Sequence, residues 1–202
     1  MDSNWAAEHL QVIRTLMERS AIYRRALAPI MIYTGALGLA AGILGRVFQI
    51  EEPRAFAGFW IGVAVLALSG AFLLVRRQAL KDSEPFWSPP TRRVAQALAP
   101  PLFVGAMAAA AAIAGLWPDA ANWLPPLWML LYGCALSAAG FFMQRGIKLL
   151  GWGFILLGST LAAEAVLSPE PVFPAHWIMA GAFGGLHLAY GVYLYFTEKG
   201  GK

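Results

Sequence analysis

Residues 56–75 read FAGFWIGVAVLALSGAFLLV, 20 positions without a charge, and the next two residues are Arg76 and Arg77. A hydrocarbon core about 30 Å thick is crossed by about 20 helical residues. The run is continuous rather than alternating, which argues against a barrel strand. A helix, in contrast, satisfies every backbone group within the segment, where each group left unpaired in lipid costs several kcal/mol. Similar runs occupy 26–44, 98–117, 124–144, 147–167 and 175–197. The fold class this predicts is an all-α polytopic membrane protein with six transmembrane helices. Pro53, Pro118, Pro125, Pro126, Pro169, Pro171 and Pro174 punctuate the connections. Pro29, Pro100 and Pro101 are expected in the first turns of their spans, where a missing amide is tolerated.

Composition agrees. Apolar residues make up 59% of the 202-residue chain and charged residues 13%. A soluble domain carries about 25% charge, so there is too little here to cover a water-facing surface. Disorder is excluded by the same figures. Cys134, the one cysteine, lies inside an apolar run and excludes disulfide frameworks and multi-thiolate metal sites. The N-terminus lacks a short apolar core with a cleavage site, so the first run is expected to remain in the mature protein.

Orientation follows from the basic residues. One side of the predicted bundle receives Arg14, Arg19, Arg24, Arg25, Arg76, Arg77, Lys81, Arg92, Arg93, Arg145, Lys148, Lys199 and Lys202. Of the 15 Lys and Arg residues, this leaves only Arg46 and Arg54 for the other side. The positive-inside rule then makes both termini cytoplasmic. A net charge of +4 spread over span flanks gives no clustered face for nucleic acid. Trp60, Trp117, Trp123, Trp128 and Trp177 fall at the outer boundary. Trp87, Trp152, Tyr23, Tyr193 and Tyr195 fall toward the inner one, and all of these are expected as headgroup-level anchors.

Before the first span, Leu10, Ile13, Leu16, Met17 and Ala21 share one helical arc, with Glu8, Gln11, Thr15, Glu18 and Arg19 on the other. An amphipathic helix lying on the inner leaflet is expected, with docking onto a cytosolic partner as the alternative. The division is therefore 1–25, a cytoplasmic amphipathic helix; 26–197, the six-helix membrane domain; and 198–202, a cytoplasmic tail. Trp60, Ala67-Leu68-Ser69 and Arg77 recur faintly as Trp128, Ala135-Leu136-Ser137 and Arg145, a pattern that duplicated hairpins of equal orientation would leave.

Ionisable residues within lipid are costly and so are functional candidates. Glu164 stands near the outer end of the fifth span, at a depth matching His176, its expected ionic partner. His187 lies near the midplane of the sixth span, with Gly184 and Gly191 on its helical face and Tyr190 one turn away. These small neighbours point it into the bundle. Tyr33, Thr34, Ser69, Ser137 and Ser159 stand at compatible depths as hydrogen-bond partners. A structural bond, or a proton, quinone or small-ligand contact, would each use His187. Bis-histidine haem would need a second core histidine, and no metal or other cofactor is expected. Gly38/Gly42, Gly58/Gly62 and Gly181/Gly185 have the spacing of close helix crossings.

Enzyme motifs are missing: no Gly-x-Ser-x-Gly, His-Glu-x-x-His, phosphate loop or dinucleotide fingerprint occurs. Asp2, Asp82 and Asp119 all fall in loops or the tail, so no intramembrane aspartate pair exists. Glu51-Glu52-Pro53-Arg54 reads as loop charge. Residues 76–93 combine Arg76, Arg77, Lys81, Arg92 and Arg93 with Phe86, Trp87 and several prolines. That surface suits lipid headgroups or a cytosolic regulatory protein.

Taken together, Ile13-Arg14-x-Leu16-Met17-Glu18-Arg19-Ser20, Thr91-Arg92-Arg93, Pro101-Leu102, Leu131-Tyr132-Gly133 and Gly185-Leu186-His187-x-x-Tyr190-Gly191 resemble a family. It is an uncharacterised group of small bacterial six-span membrane proteins with an N-terminal helix of the "MERS" type. The resemblance runs in order through most of the chain. It implies a bacterial inner-membrane location and a sensing or regulatory role, and it brings no catalytic residue. The expectation is a non-enzymatic membrane component. The alternative is a small proton-coupled transporter or a lipid- or quinone-binding protein using His187 and Glu164.

Overall fold

The computed structural model describes residues 21–83, 85–168 and 172–199. Those residues form helices and connections only. In chain order the helices are α1 (Ala21–Val47), α2 (Pro53–Lys81), α3 (Pro89–Ile113), α4 (Ala120–Ala139), α5 (Arg145–Leu167) and α6. The last has three parts: α-helical Ala175–Met179, π-helical Ala180–Leu186 and α-helical His187–Lys199. Five of the six helices are long and apolar enough to cross a membrane, the exception being α4. The expected amphipathic helix lies almost wholly outside the described residues, and its last five positions, 21–25, are helical and continuous with α1.

The exception has a physical reason. α4 is the shortest of the six helices and carries Asn122, Pro125 and Pro126 in its first half. It is also the best-shielded helix, with Leu124, Pro125, Pro126, Trp128, Met129 and Gly133 among its buried residues. A segment covered by neighbouring helices has less lipid to satisfy than one at the periphery, such as α2.

Several boundaries differ from the sequence reading. Pro125 and Pro126 lie inside α4 rather than before it, and Pro100 and Pro101 lie in the middle of α3, which starts at Pro89. Proline is tolerated inside spanning helices because neighbouring groups take up the freed carbonyls. Here Pro89 supplies the helix start that was assigned to Pro100. The second span runs on to Lys81, so Arg76 and Arg77 are helical and not loop residues. Arg145, in contrast, opens α5, so the faint repeat loses its correspondence at that end.

Two helix pairs meet through glycine. In the first, α1 lies on α6: a Cβ added to Gly35 would come 2.5 Å from the Leu188 nitrogen, and one on Gly38 would come 2.8 Å from the Gly184 nitrogen. In the second, α4 lies on α5: a Cβ on Gly133 would sit 2.7 Å from the Gly151 carbonyl oxygen. Such contact gains dispersion energy where lipid offers no hydrophobic drive. The Gly38/Gly42 spacing is thus a true crossing. Gly58, Gly62 and Gly181 meet nothing within 4 Å, and Gly185 touches only a carbonyl of its own helix at 4.0 Å.

The core is split into two layers. One gathers Phe56, Ala57, Trp60, Leu124, Trp128 and Met179. The other gathers Leu27, Met31, Met129, Leu136, Ile147, Phe154, Ala182 and Leu194. Each layer holds a buried histidine.

Candidate functional site

His176 opens α6 and is 3% exposed. The Trp60 indole N–H donates to its Nδ1 at 3.1 Å, and its Nε2 meets the Ile50 carbonyl at 2.8 Å. An indole can only donate, so Nδ1 is the acceptor, the ring proton sits on Nε2, and the imidazole is neutral. Phe56 and Phe59 pack against the ring with centroids 5.0 and 5.8 Å away. The α1–α2 connection is thereby fastened to the first turn of α6. Nearby, Arg46 pairs with Glu51 at 2.6 Å, and the Glu52 carboxylate accepts from the Ala55 amide at 2.8 Å, capping α2. Glu51 and Glu52 thus have structural employment.

With both ring nitrogens engaged, His176 has no atom left for Glu164. The Glu164 carboxylate instead accepts from the Val172 amide at 2.8 Å. It lies in a cleft of about 250 Å³, whose lining includes Asp119, Asn122, Trp123, Ser168 and Phe173. Matching depth in the sequence had suggested a Glu164–His176 pair. The fold turns the two apart because Trp60 and Ile50 reach the imidazole first.

Trp60 and Trp128 also depart from the anchoring role. Trp60 is 3% exposed, and Trp128 donates to the Gly105 carbonyl at 2.9 Å while stacking on Phe56 at 6.4 Å. Their N–H groups are satisfied by protein, not by headgroups. Trp87, Trp152 and Trp177 remain exposed, as an anchor must be.

His187 is 1% exposed and follows directly on the π-helical stretch. Its Nε2 lies 2.7 Å from the Tyr132 hydroxyl. Tyr132, Phe154 and Phe183 surround the ring at centroid distances of 5.4, 5.4 and 6.3 Å, with Phe183 stacked on it. Nδ1 is buried and makes no hydrogen bond. In the bond to Tyr132 either the phenol or the imidazole can be the donor, according to the tautomer. The arrangement is a neutral hydrogen-bonded pair walled by rings.

None of the five hydroxyl residues matched by depth is the partner. Tyr33 donates to the Leu66 carbonyl at 3.0 Å, and Ser69 and Ser159 are exposed. The Ser137 hydroxyl is buried against Gly151 without a partner. Tyr132 was overlooked, although it stands mid-run in the fourth apolar segment and in a quoted signature. Its distance from both run ends was the available signal. Gly184 and Gly191 face α1, so His187 occupies the adjacent face, toward α4 and α5. Tyr190 stacks on Tyr193 at 6.2 Å and lies against Gly146.

His187 and Glu164 belong to different neighbourhoods. On α5, Phe154 touches His187 and Glu164 follows ten residues later, about 15 Å along the axis. Among the described residues no group of three or more His, Cys, Asp or Glu side chains is arranged to hold a metal ion. Arg76, Arg77, Lys81, Arg92 and Arg93 are all exposed; the first three lie on α2 and the last two near the start of α3. No protein-family model, no curated protein and no solved structure matches the chain.

Proposed function

We propose that this chain is a non-enzymatic component of the bacterial inner membrane with six spans, both termini in the cytoplasm and a sensing or regulatory role. The Tyr132–His187 bond carries the reading. The midplane histidine is committed to a tyrosine and enclosed by Phe154 and Phe183, which suits a packed scaffold better than a conduit. α4, shielded by its neighbours, serves as the sixth span because the protein rather than lipid surrounds it. Signals would then leave through surfaces at the arginine-rich end: the N-terminal segment and residues 76–93.

The alternative, proton-coupled transport or quinone binding, draws on one observation, the His187 Nδ1 without a hydrogen bond. Proton flux separates the two readings. Purified full-length protein in liposomes carrying a pH-sensitive dye should pass no more protons under an imposed gradient than empty liposomes. Flux that disappears in both Tyr132→Phe and His187→Asn would overturn the proposal in favour of transport.

A further inference from the structure

The turn between α4 and α5 brings together features that lie far apart in sequence. Phe141 and Phe142 project from it, 73% and 46% exposed. Lys148 Nζ lies 4.1 Å from the centre of the Phe141 ring, and the Arg93 guanidinium, arriving from α3, lies 6.0 Å from that of Phe142. Two cations from different helices therefore converge on adjacent rings. Neither these nor Arg145 makes an ion pair with a described residue.

The same place is the N-terminus of α5, a 23-residue helix. A helix start carries partial positive charge and free amides, and is normally balanced by an acidic first turn or a capping side chain. α5 has neither: its first turn holds Arg145 and Lys148 and no acid, and Gln144 at the cap position makes no capping bond. The Gln144 side-chain nitrogen is in addition a buried donor without a partner. Cations without a carboxylate partner and a helix start without an acidic cap call for the same thing, an anion. Two exposed phenylalanines at the end of spanning helices call for acyl chain.

We propose that this turn is a binding site for an anionic phospholipid, with the phosphate held by Arg93, Arg145 and Lys148 at the start of α5 and the acyl chains laid along Phe141 and Phe142. The proposal rests on the membrane location and not on the sensing role. Residues 76–93, read alone, suggest Arg76, Arg77, Lys81, Arg92 and Arg93 for headgroup contact. The structure brings to Arg93 the two rings of the α4–α5 turn and the two cations at the start of α5.

Native mass spectrometry of the full-length protein, delipidated in mild detergent and titrated with dioleoyl phosphatidylglycerol, tests it. The wild type should retain this lipid and not dioleoyl phosphatidylcholine. R93Q/K148Q should weaken retention roughly 30-fold, since each cation near an anionic surface is worth about fivefold. R54Q, beside Gly115 at the opposite end of α3 from Arg93, should stay within about threefold of wild type, and R93K/K148R should restore binding, separating loss of charge from loss of fold. Equal retention by R93Q/K148Q, equal binding of phosphatidylcholine, or displacement of the lipid by millimolar inorganic phosphate would each overturn the proposal.

Discussion

Gly38 of α1 and Gly184 of α6 meet main chain to main chain, so that a methyl group on either would come within 3 Å of backbone atoms of the other helix. Neither backbone can give way without moving a helix. Gly38→Ala should therefore destabilise the bundle by about 1–3 kcal/mol, the usual cost of overpacking. Gly58→Ala and Gly62→Ala, with open space around them, should stay within about 0.5 kcal/mol of wild type. Equilibrium unfolding in a mixed-detergent titration measures the difference.

The Tyr132–His187 pair should show coupling. Tyr132→Phe leaves the imidazole Nε2 unpaired, and His187→Leu leaves the phenol unpaired, each costing about 1–3 kcal/mol. The double variant should cost less than the two singles added, with an interaction of about 0.6–1.7 kcal/mol, as found between spanning helices. A double-mutant cycle on unfolding free energies checks this. Strict additivity would mean the bond contributes nothing.

Trp60 should be sensitive to its ring partner and insensitive to the loss of headgroup contact. Trp60→Phe keeps an aromatic ring beside Phe56 and His176 but removes the donor to Nδ1, for an expected loss of about 1–3 kcal/mol. Trp177→Phe, at an exposed position, should cost no more than about 0.5 kcal/mol. Thermal unfolding followed by tryptophan fluorescence distinguishes them.

Glu52 caps α2, so Glu52→Ala should cost about 0.5–2 kcal/mol, and Glu52→Asp should recover much of it. The Arg46–Glu51 pair, partly exposed, is expected to contribute less: Glu51→Gln should change stability by about 1 kcal/mol or less. Chemical unfolding of the two variants side by side ranks them.

Membrane sidedness can be read with thiols. In a Cys134→Ala background, Gln49→Cys in the α1–α2 connection and Ser83→Cys in the α2–α3 connection should be labelled from opposite faces. An impermeant maleimide added to intact cells should label position 49 at once and position 83 only after permeabilisation. The reverse pattern would invert the orientation assigned from lysine and arginine.

The helical architecture was legible because lipid imposes a long apolar period that few other structures share. Helix ends were less so. Pro100, Pro101, Pro125 and Pro126 looked like starts or breaks, yet the bundle absorbs all four within helices. The burial of His187 could be read from its depth in the last run. Its partner could not, because depth sorts residues along the membrane normal and says nothing about angle around the bundle. Tyr132 faces it because the glycine seams of α1 with α6 and α4 with α5 fix that angle, and seams form only between particular pairs of helices. The Glu164–His176 expectation failed for the same reason, with Trp60 occupying the atom that proximity in depth had reserved for the carboxylate. The π-helical winding of residues 180–186 left no mark beyond an excess of glycine.

That winding has a consequence for how the last helix is divided. A π turn closes its hydrogen bonds one residue later than an α turn, so it stores a surplus residue between two regular stretches. Above it, His176 is tied to Ile50 and Trp60; below it, His187 is tied to Tyr132. The surplus lets each end keep its own azimuth, as a slip joint does between two clamped rods. Removing Gly185 should draw the stretch into ordinary winding while leaving both clamps in register, whereas inserting an alanine there should tear one of them loose.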